Sequence, residues 1–170
     1  MQNTIAVAMS GGVDSSAAAW LLQQAGYSTI GVTLRLFQPE DLAPGCRTRC
    51  HALDDLEDAR AVAAQLNIPH YTLDLQARFA QCVMDPFVAE YEAGRTPNPC
   101  VICNRTIKFG ALLEEAERLG CSLFATGHYA QVEQDSASGR FLLKQALYPE
   151  KDQSYVLWSL TQAQLARVRL

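Results

Sequence analysis

The stretch "TIAVAMSGGVDSSAAAWLLQQAGYSTIGVTL", residues 4 to 34, limits the fold more than any other part of the chain. An apolar run from Thr4 to Met9 enters Ser10-Gly11-Gly12. An amphipathic segment from Asp14 then closes at Gly26, and a β-rich run follows from Ser28 to Leu34. Strand, glycine turn, helix and strand in that order make a βαβ unit, with parallel strands and a helix covering one face of the sheet. The alternation continues downstream. "LDDLEDARAVAAQL" (53 to 66) has the Ala/Leu content of a helix, and "PHYTLDL" (69 to 75) reads as a strand. The predicted fold class is α/β: a doubly wound, mostly parallel, Rossmann-like sheet with helices on both faces.

Residues 76 to 93 read as a helix that Asp85-Pro86 should kink or restart. A helix is expected over 106 to 120, a buried strand over 121 to 126, and a small β-hairpin around the Ser/Gly turn of "YAQVEQDSASGRFLLKQA" (129 to 146). Thr161 is placed to cap a last helix running into Leu170, which suggests the catalytic part of a longer protein. Two loops, 37 to 52 and 94 to 104, carry prolines, glycines and the cysteines Cys46, Cys50, Cys100 and Cys103. In a doubly wound sheet, loops at the carboxyl ends of the strands line the ligand crevice.

With 170 residues, 49% of them hydrophobic, a single domain spanning 1–170 is expected. The net charge of −4 excludes a protein that coats nucleic acid by bulk positive charge and leaves only local basic contacts. The N-terminus lacks a charged, apolar leader and no apolar run nears the ~20 residues of a membrane span, so a cytoplasmic protein without membrane contact is expected. Thiols stay reduced there, and six cysteines point to metal, redox or nucleophilic use of some rather than to a disulfide framework. Cys82 and Cys121 fall on a helix and a buried strand, where a small core residue suffices.

"SGGVDSS" (10 to 16) stands where the first strand hands over to the first helix. Gly11 and Gly12 let main-chain N–H groups approach an oxyanion, and the helix N-terminus adds a positive dipole. Ser10, Ser15 and Ser16 can donate hydroxyls. Asp14 would repel bare phosphate but can hold a Mg²⁺ that bridges to it, so the motif suits a nucleotide better than free phosphate. No Lys-Ser/Thr pair follows the glycines, so this is not a Walker A loop.

On these residues the sequence resembles the PP-loop ATP pyrophosphatases of the adenine nucleotide alpha hydrolase type, which include GMP synthetase, asparagine synthetase, NAD synthetase and several tRNA-modifying enzymes. The resemblance implies cleavage of ATP between its α- and β-phosphates and adenylation of an oxygen of a second substrate. It also implies an ATP site made of Ala8, Met9, Ser10, Gly11, Gly12, Val13, Asp14 and Ser15, with Leu34 and Gly127, and Mg²⁺ as cofactor. "GRTPNPCVICNRTIKF" (94 to 109), "ATGHYA" (125 to 130) and "KDQSYVL" (151 to 157), in this order, are similar specifically to the tRNA-specific 2-thiouridylases (MnmA/TrmU type). Those enzymes replace O2 of the wobble uridine, position 34 of the tRNA, by sulfur. They are longer, with central and C-terminal domains that help to hold tRNA. The implied roles are Asn98, Pro99 and Cys100 at the target base, Lys151, Asp152 and Gln153 on tRNA, and Cys103 as the nucleophile. The implied partners are tRNA and a sulfur donor, either a protein or sulfide.

Cys100 stands where one well-known form of the family carries Asp. Cys100-x-x-Cys103 leaves three uses open. The pair could work with a persulfide from a cysteine outside this chain, or ligate an iron–sulfur cluster (4Fe-4S) whose third ligand lies beyond residue 170. It could also join Cys46 and Cys50 in a four-thiolate zinc site or a plain structural role. Arg105 and Lys108 would encourage Cys103 to ionise, and with Arg95 they could meet RNA phosphate. Gly127 reads either as room for the nucleotide to approach the main chain or as a turn glycine, and His128 either as a ligand contact or as a hydrogen-bonded structural histidine. Two rival readings remain. Another PP-loop sulfurtransferase or ligase would share "SGGVDSS" but not the "NPCVICN" and "ATGHY" pair; a non-catalytic module would bind ATP or metal without turnover.

Overall fold

A computed structural model describes residues 4–37 and 53–170. Alternation along β1 (Thr4–Ala8) sets up its layers: Ile5, Val7 and the following Met9 belong to one core, and Ala6 to the other. The first core is closed by small residues, Ala19 of α1 (Val13–Gln24) and Ala59 and Ala63 of α2 (Leu53–Gln65). The second holds Ile30, Val32 and Leu34 of β2 (Ser28–Arg35) with Phe79, Ile107, Phe109, Leu112 and Phe124. Helices α1 and α2 thus cover one face, and the helices after β3 (His70–Asp74) cover the other.

The sheet runs β3-β2-β1-β4-β7, every pair parallel, with β4 at Leu123–Ala125 and β7 at Val168–Arg169. The chain moves outward from β1 to β3 and then returns to the far side of β1. That reversal opens a crevice between the carboxyl ends of β1 and β4, where residues 9–12 and 126–128 emerge. The expected hairpin forms from β5 (Gln131–Gln134) and β6 (Phe141–Lys144).

One expectation holds and two are corrected. As expected, the helix restarts at Asp85-Pro86: α3 (Gln76–Phe79) passes through a π-helical turn, Ala80–Met84, into α4 (Asp85–Glu92), whose first turn holds Pro86. Proline offers no N–H and its ring crowds the preceding turn, and the wider π turn accommodates both. The helix expected from 106 begins much earlier, because α5 (Pro99–Cys103), a π-helical stretch (Asn104–Ala111) and α6 (Leu112–Arg118) form one continuous run. Cys100 and Cys103 therefore lie on a helix rather than in a loop. Asn98 starts that helix: its Oδ1 accepts from the N–H groups of Cys100 (3.1 Å) and Val101 (3.3 Å), and Pro99 takes the position where no N–H is needed. Finally, α7 (Gln162–Arg167) starts at Thr161 in a capping box with Gln164 but stops at Arg167. Val168 is completely buried beside Phe124 of β4, and this edge-strand contact outweighs another helical turn.

Among the described residues no helix is long and apolar enough to cross a membrane. Cys46 and Cys50 lie outside the described residues.

Candidate active site

The turn after β1 is held by contacts between main chains. Gly11 adopts φ +78°, and a Cβ there would stand 2.4 Å from the carbonyl oxygen of Asp55, so the start of α2 presses directly on the loop. At Gly127 a Cβ would fall 2.8 Å from the carbonyl carbon of Asp14 and from the nitrogen of Ser15. The bareness of Gly127 therefore admits the first turn of α1. The loop is also tied from within. Buried Ser15 donates Oγ to the Gly12 carbonyl (3.0 Å) and accepts from the Ser10 N–H (3.1 Å), while Ser16 Oγ donates to the same carbonyl (2.9 Å). The expectation that Ser15 and Ser16 offer their protons to an oxyanion is corrected by this geometry. The N–H groups at the start of α1 have no intrahelical partner and no side-chain cap, while Ser10 Oγ lies 3.2 Å from Ser15 Oγ.

Of the residues expected to hold ATP, Ala8, Met9, Ser10, Gly12, Asp14, Ser15, Leu34 and Gly127 come together around the crevice. Gly11 faces α2 instead, and Val13 is 78% exposed and does not line it. Two residues assigned elsewhere join this lining: Gln153, and Lys108 from the π-helical stretch. None of the ion pairs among the described residues involves Lys108. Sequence reasoning set Lys108 beside Cys103 and toward RNA phosphate, not on the crevice wall. His128 also lines the crevice, with Nδ1 2.7 Å from Thr126 Oγ1. Burial first, then the nearby Lys108 charge, lowers its pKa to about 3, so the imidazole is neutral at physiological pH.

One side chain next to this lining escaped sequence reasoning, although it stands inside "ATGHYA". Tyr129 donates its hydroxyl to Asp14 Oδ1 (2.7 Å), and Lys151 Nζ lies 3.3 Å from the same hydroxyl and 4.8 Å from the ring centroid. Asp152 braces its own loop. It accepts from the Ala146 N–H (2.8 Å) and from Ser154 Oγ (2.7 Å), and these bonds, the Ala146 one foremost, hold its carboxyl below the usual range.

The thiols occupy the first turn of α5, Cys100 exposed and Cys103 half-buried. This helix packs beside the short 3-10 turn Ser154–Val156, which directly follows the 151–153 segment. Asn98 is exposed, with its carbonyl oxygen engaged in the cap. Cys121 is buried, and burial pushes its thiol up; Cys82 is half-buried against the core, so packing accounts for both. Among the described residues no three His, Cys, Asp or Glu side chains converge as metal ligands. The zinc reading needs Cys46 and Cys50, outside those residues.

Residues 3–170 match the family described as the tRNA methyl transferase HUP domain. The chain belongs to that family. It is 50% identical over 167 residues to the tRNA-specific 2-thiouridylase MnmA of Heliobacterium modesticaldum, covering 98% of this chain and 43% of that protein. To the MnmA of Moorella thermoacetica it is 52% identical over 164 residues, 96% of this chain and 46% of the other. The chain spans less than half the length of these curated relatives. Among solved structures it is similar to the glutamine-dependent NAD+ synthetase of Acinetobacter baumannii in complex with ADP, with TM-score 0.51, 14% identity, and 73% and 21% of the two chains covered. It is also similar to the predicted subunit of tRNA methyltransferase of Methanocaldococcus jannaschii, with TM-score 0.50, 20% identity, and 75% and 53% covered. At such identities the likeness is one of fold, and it agrees with the PP-loop architecture.

In this HUP domain the expected residues fall into two groups. The loop residues with Leu34, Gly127 and Gln153 share one crevice, whereas Asn98, Pro99, Cys100 and Cys103 sit on a helix start whose continuation carries Lys108 into it.

Proposed function

We propose that this HUP domain is the ATP-activating catalytic part of a cytoplasmic enzyme that 2-thiolates the wobble uridine of tRNA. The observation that carries the reading is the continuous helix of residues 99–118. It bears Cys103 in its first turn and Lys108 five residues later on the crevice wall, so one element serves both steps of the chemistry.

In the first step the pyrophosphate end of ATP sits on the unpartnered N–H groups at the start of α1, with Lys108 offsetting its charge. Asp14 is the exposed carboxylate that would hold Mg²⁺, whose contribution there is to neutralise phosphate oxygens. Neutral His128 adds no competing charge. Uridine O2 attacks the α-phosphorus and pyrophosphate leaves, so a poor leaving oxygen becomes part of AMP. In the second step the Cys103 thiolate attacks the inner sulfur of a donor persulfide, forming a disulfide and releasing hydrosulfide. Hydrosulfide adds to C2 of the uridine and AMP departs; a cellular thiol reductant then returns the disulfide to thiols. Cys100 and Cys103 lie one helical turn apart and would equally supply two ligands to a 4Fe-4S cluster, whose chemistry would be to carry the sulfide. Asn98 Nδ2, Pro99 and Cys100 face the target base, and Lys151 and Gln153 face the tRNA.

Cys103→Ser, tested in the polypeptide as the cell makes it, should reduce 2-thiouridine in digested tRNA to background while ATP binding stays unchanged, because loop and thiol serve different steps. Retained 2-thiouridine, read by mass spectrometry, contradicts the assignment.

A further inference from the structure

We propose that Tyr129 is a positioning residue that couples the phosphate loop to the RNA-contacting segment, so that ATP and RNA alter each other's binding through one hydroxyl. The inference rests on the reading above, in which Asp14 serves the nucleotide and Lys151 the RNA.

The phenol stands between opposite charges. Its single proton goes to Asp14 Oδ1 at 2.7 Å, and its oxygen accepts from Lys151 Nζ at 3.3 Å, so the three groups form a directed chain from ammonium to carboxylate. Lys151 also rests over the ring face, 4.8 Å from its centroid. The main chain of Tyr129 is fastened to the same segment from both sides: its N–H donates to Gln153 Oε1 (3.0 Å) and its carbonyl accepts from the Gln153 N–H (2.8 Å). Among the described residues, Tyr129 alone hydrogen-bonds both to the 10–16 loop and to residues 151–153.

The sign of the coupling follows from the chain. An ammonium on the phenol oxygen polarises the O–H and strengthens its hold on Asp14 Oδ1, which makes that carboxylate a weaker ligand for a nucleotide-bound cation. An RNA phosphate that draws Lys151 off the ring weakens that hold and frees Asp14. RNA therefore tightens ATP binding, and by linkage ATP tightens RNA binding by the same factor. The arrangement limits ATP consumption in the absence of RNA.

Tyr129→Phe removes only the hydroxyl and keeps the ring under Lys151 and both main-chain bonds to Gln153. The measurement is the dissociation constant of α,β-methylene ATP, which cannot be cleaved between those phosphates, with and without saturating unmodified tRNA. In the unsubstituted protein tRNA should tighten binding about fivefold or more, the lower end of common coupling factors. In Tyr129→Phe the factor should fall toward one while thermal stability is retained. An undiminished factor in the variant overturns the inference, and so does a factor of one in the unsubstituted protein. Failure of the underlying reading looks different: the unsubstituted protein would bind the analogue or the tRNA not at all, and the coupling would fall with it.

Discussion

The loop wall and the thiol wall of this site differ in what holds them. The loop wall is main chain pressed on main chain: Gly11 against Asp55, Gly127 against Asp14 and Ser15, with buried Ser15 tying Ser10 to Gly12. The thiol wall is a helix start held by the Asn98 cap, with Cys100 exposed and Cys103 half-buried. Substitution in the first wall should damage fold and nucleotide binding together. In the second it should separate chemistry from fold, as Cys103→Ser is expected to do.

The largest effect is expected at Gly11. Gly11→Ala forces an L side chain to φ +78° and against the Asp55 carbonyl, so a loss of about 3 kcal/mol, with loss of ATP binding, is expected from urea unfolding and titration. Unchanged stability would break the comparison, since the loop would then yield as easily as the helix.

The next effect is a pH dependence beneath the loop wall. His128 has a folded pKa of about 3 against an ordinary 6.5, so below pH 6.5 the unfolded chain takes up the proton first. Its contribution to stability is complete above that pH and is lost as the pH falls toward the folded value. At pH 5 the deficit is about 2 kcal/mol relative to neutral pH. His128→Gln should remove this part of the slope, and an unaltered slope would mean that the ring is solvated. The smallest effect is on the thiol wall: Asn98→Ala should cost about 1 kcal/mol, hasten alkylation of Cys100 and leave ATP binding alone. Slower alkylation would show that the cap exposes these thiols rather than restrains them.

What could be read in advance follows the same division. Residues 4 to 34 announce their structure because glycine is required where the chain turns and apolar residues alternate where it is buried. The helix start at Pro99 was legible in Asn98-Pro99, a cap followed by a first-turn proline, but two nearby prolines suggested a loop. Nothing local signals β7, whose two residues are strand only because Val168 fills space beside β4. The π-helical stretch Asn104–Ala111, which has no local signal in the sequence, carries Lys108 to the crevice. The roles of Gly127 and Tyr129 depend on contacts with Asp14, more than a hundred positions away in sequence, which no spacing within "ATGHYA" encodes.

The central claim is that the loop wall activates an RNA oxygen with ATP. Its most direct test is to incubate the protein anaerobically with α-labelled ATP, Mg²⁺ and sulfide, with and without unmodified tRNA, and to separate AMP from ADP. The account predicts AMP that forms only when tRNA is present. ADP as the labelled product, or AMP formed equally without RNA, would contradict it.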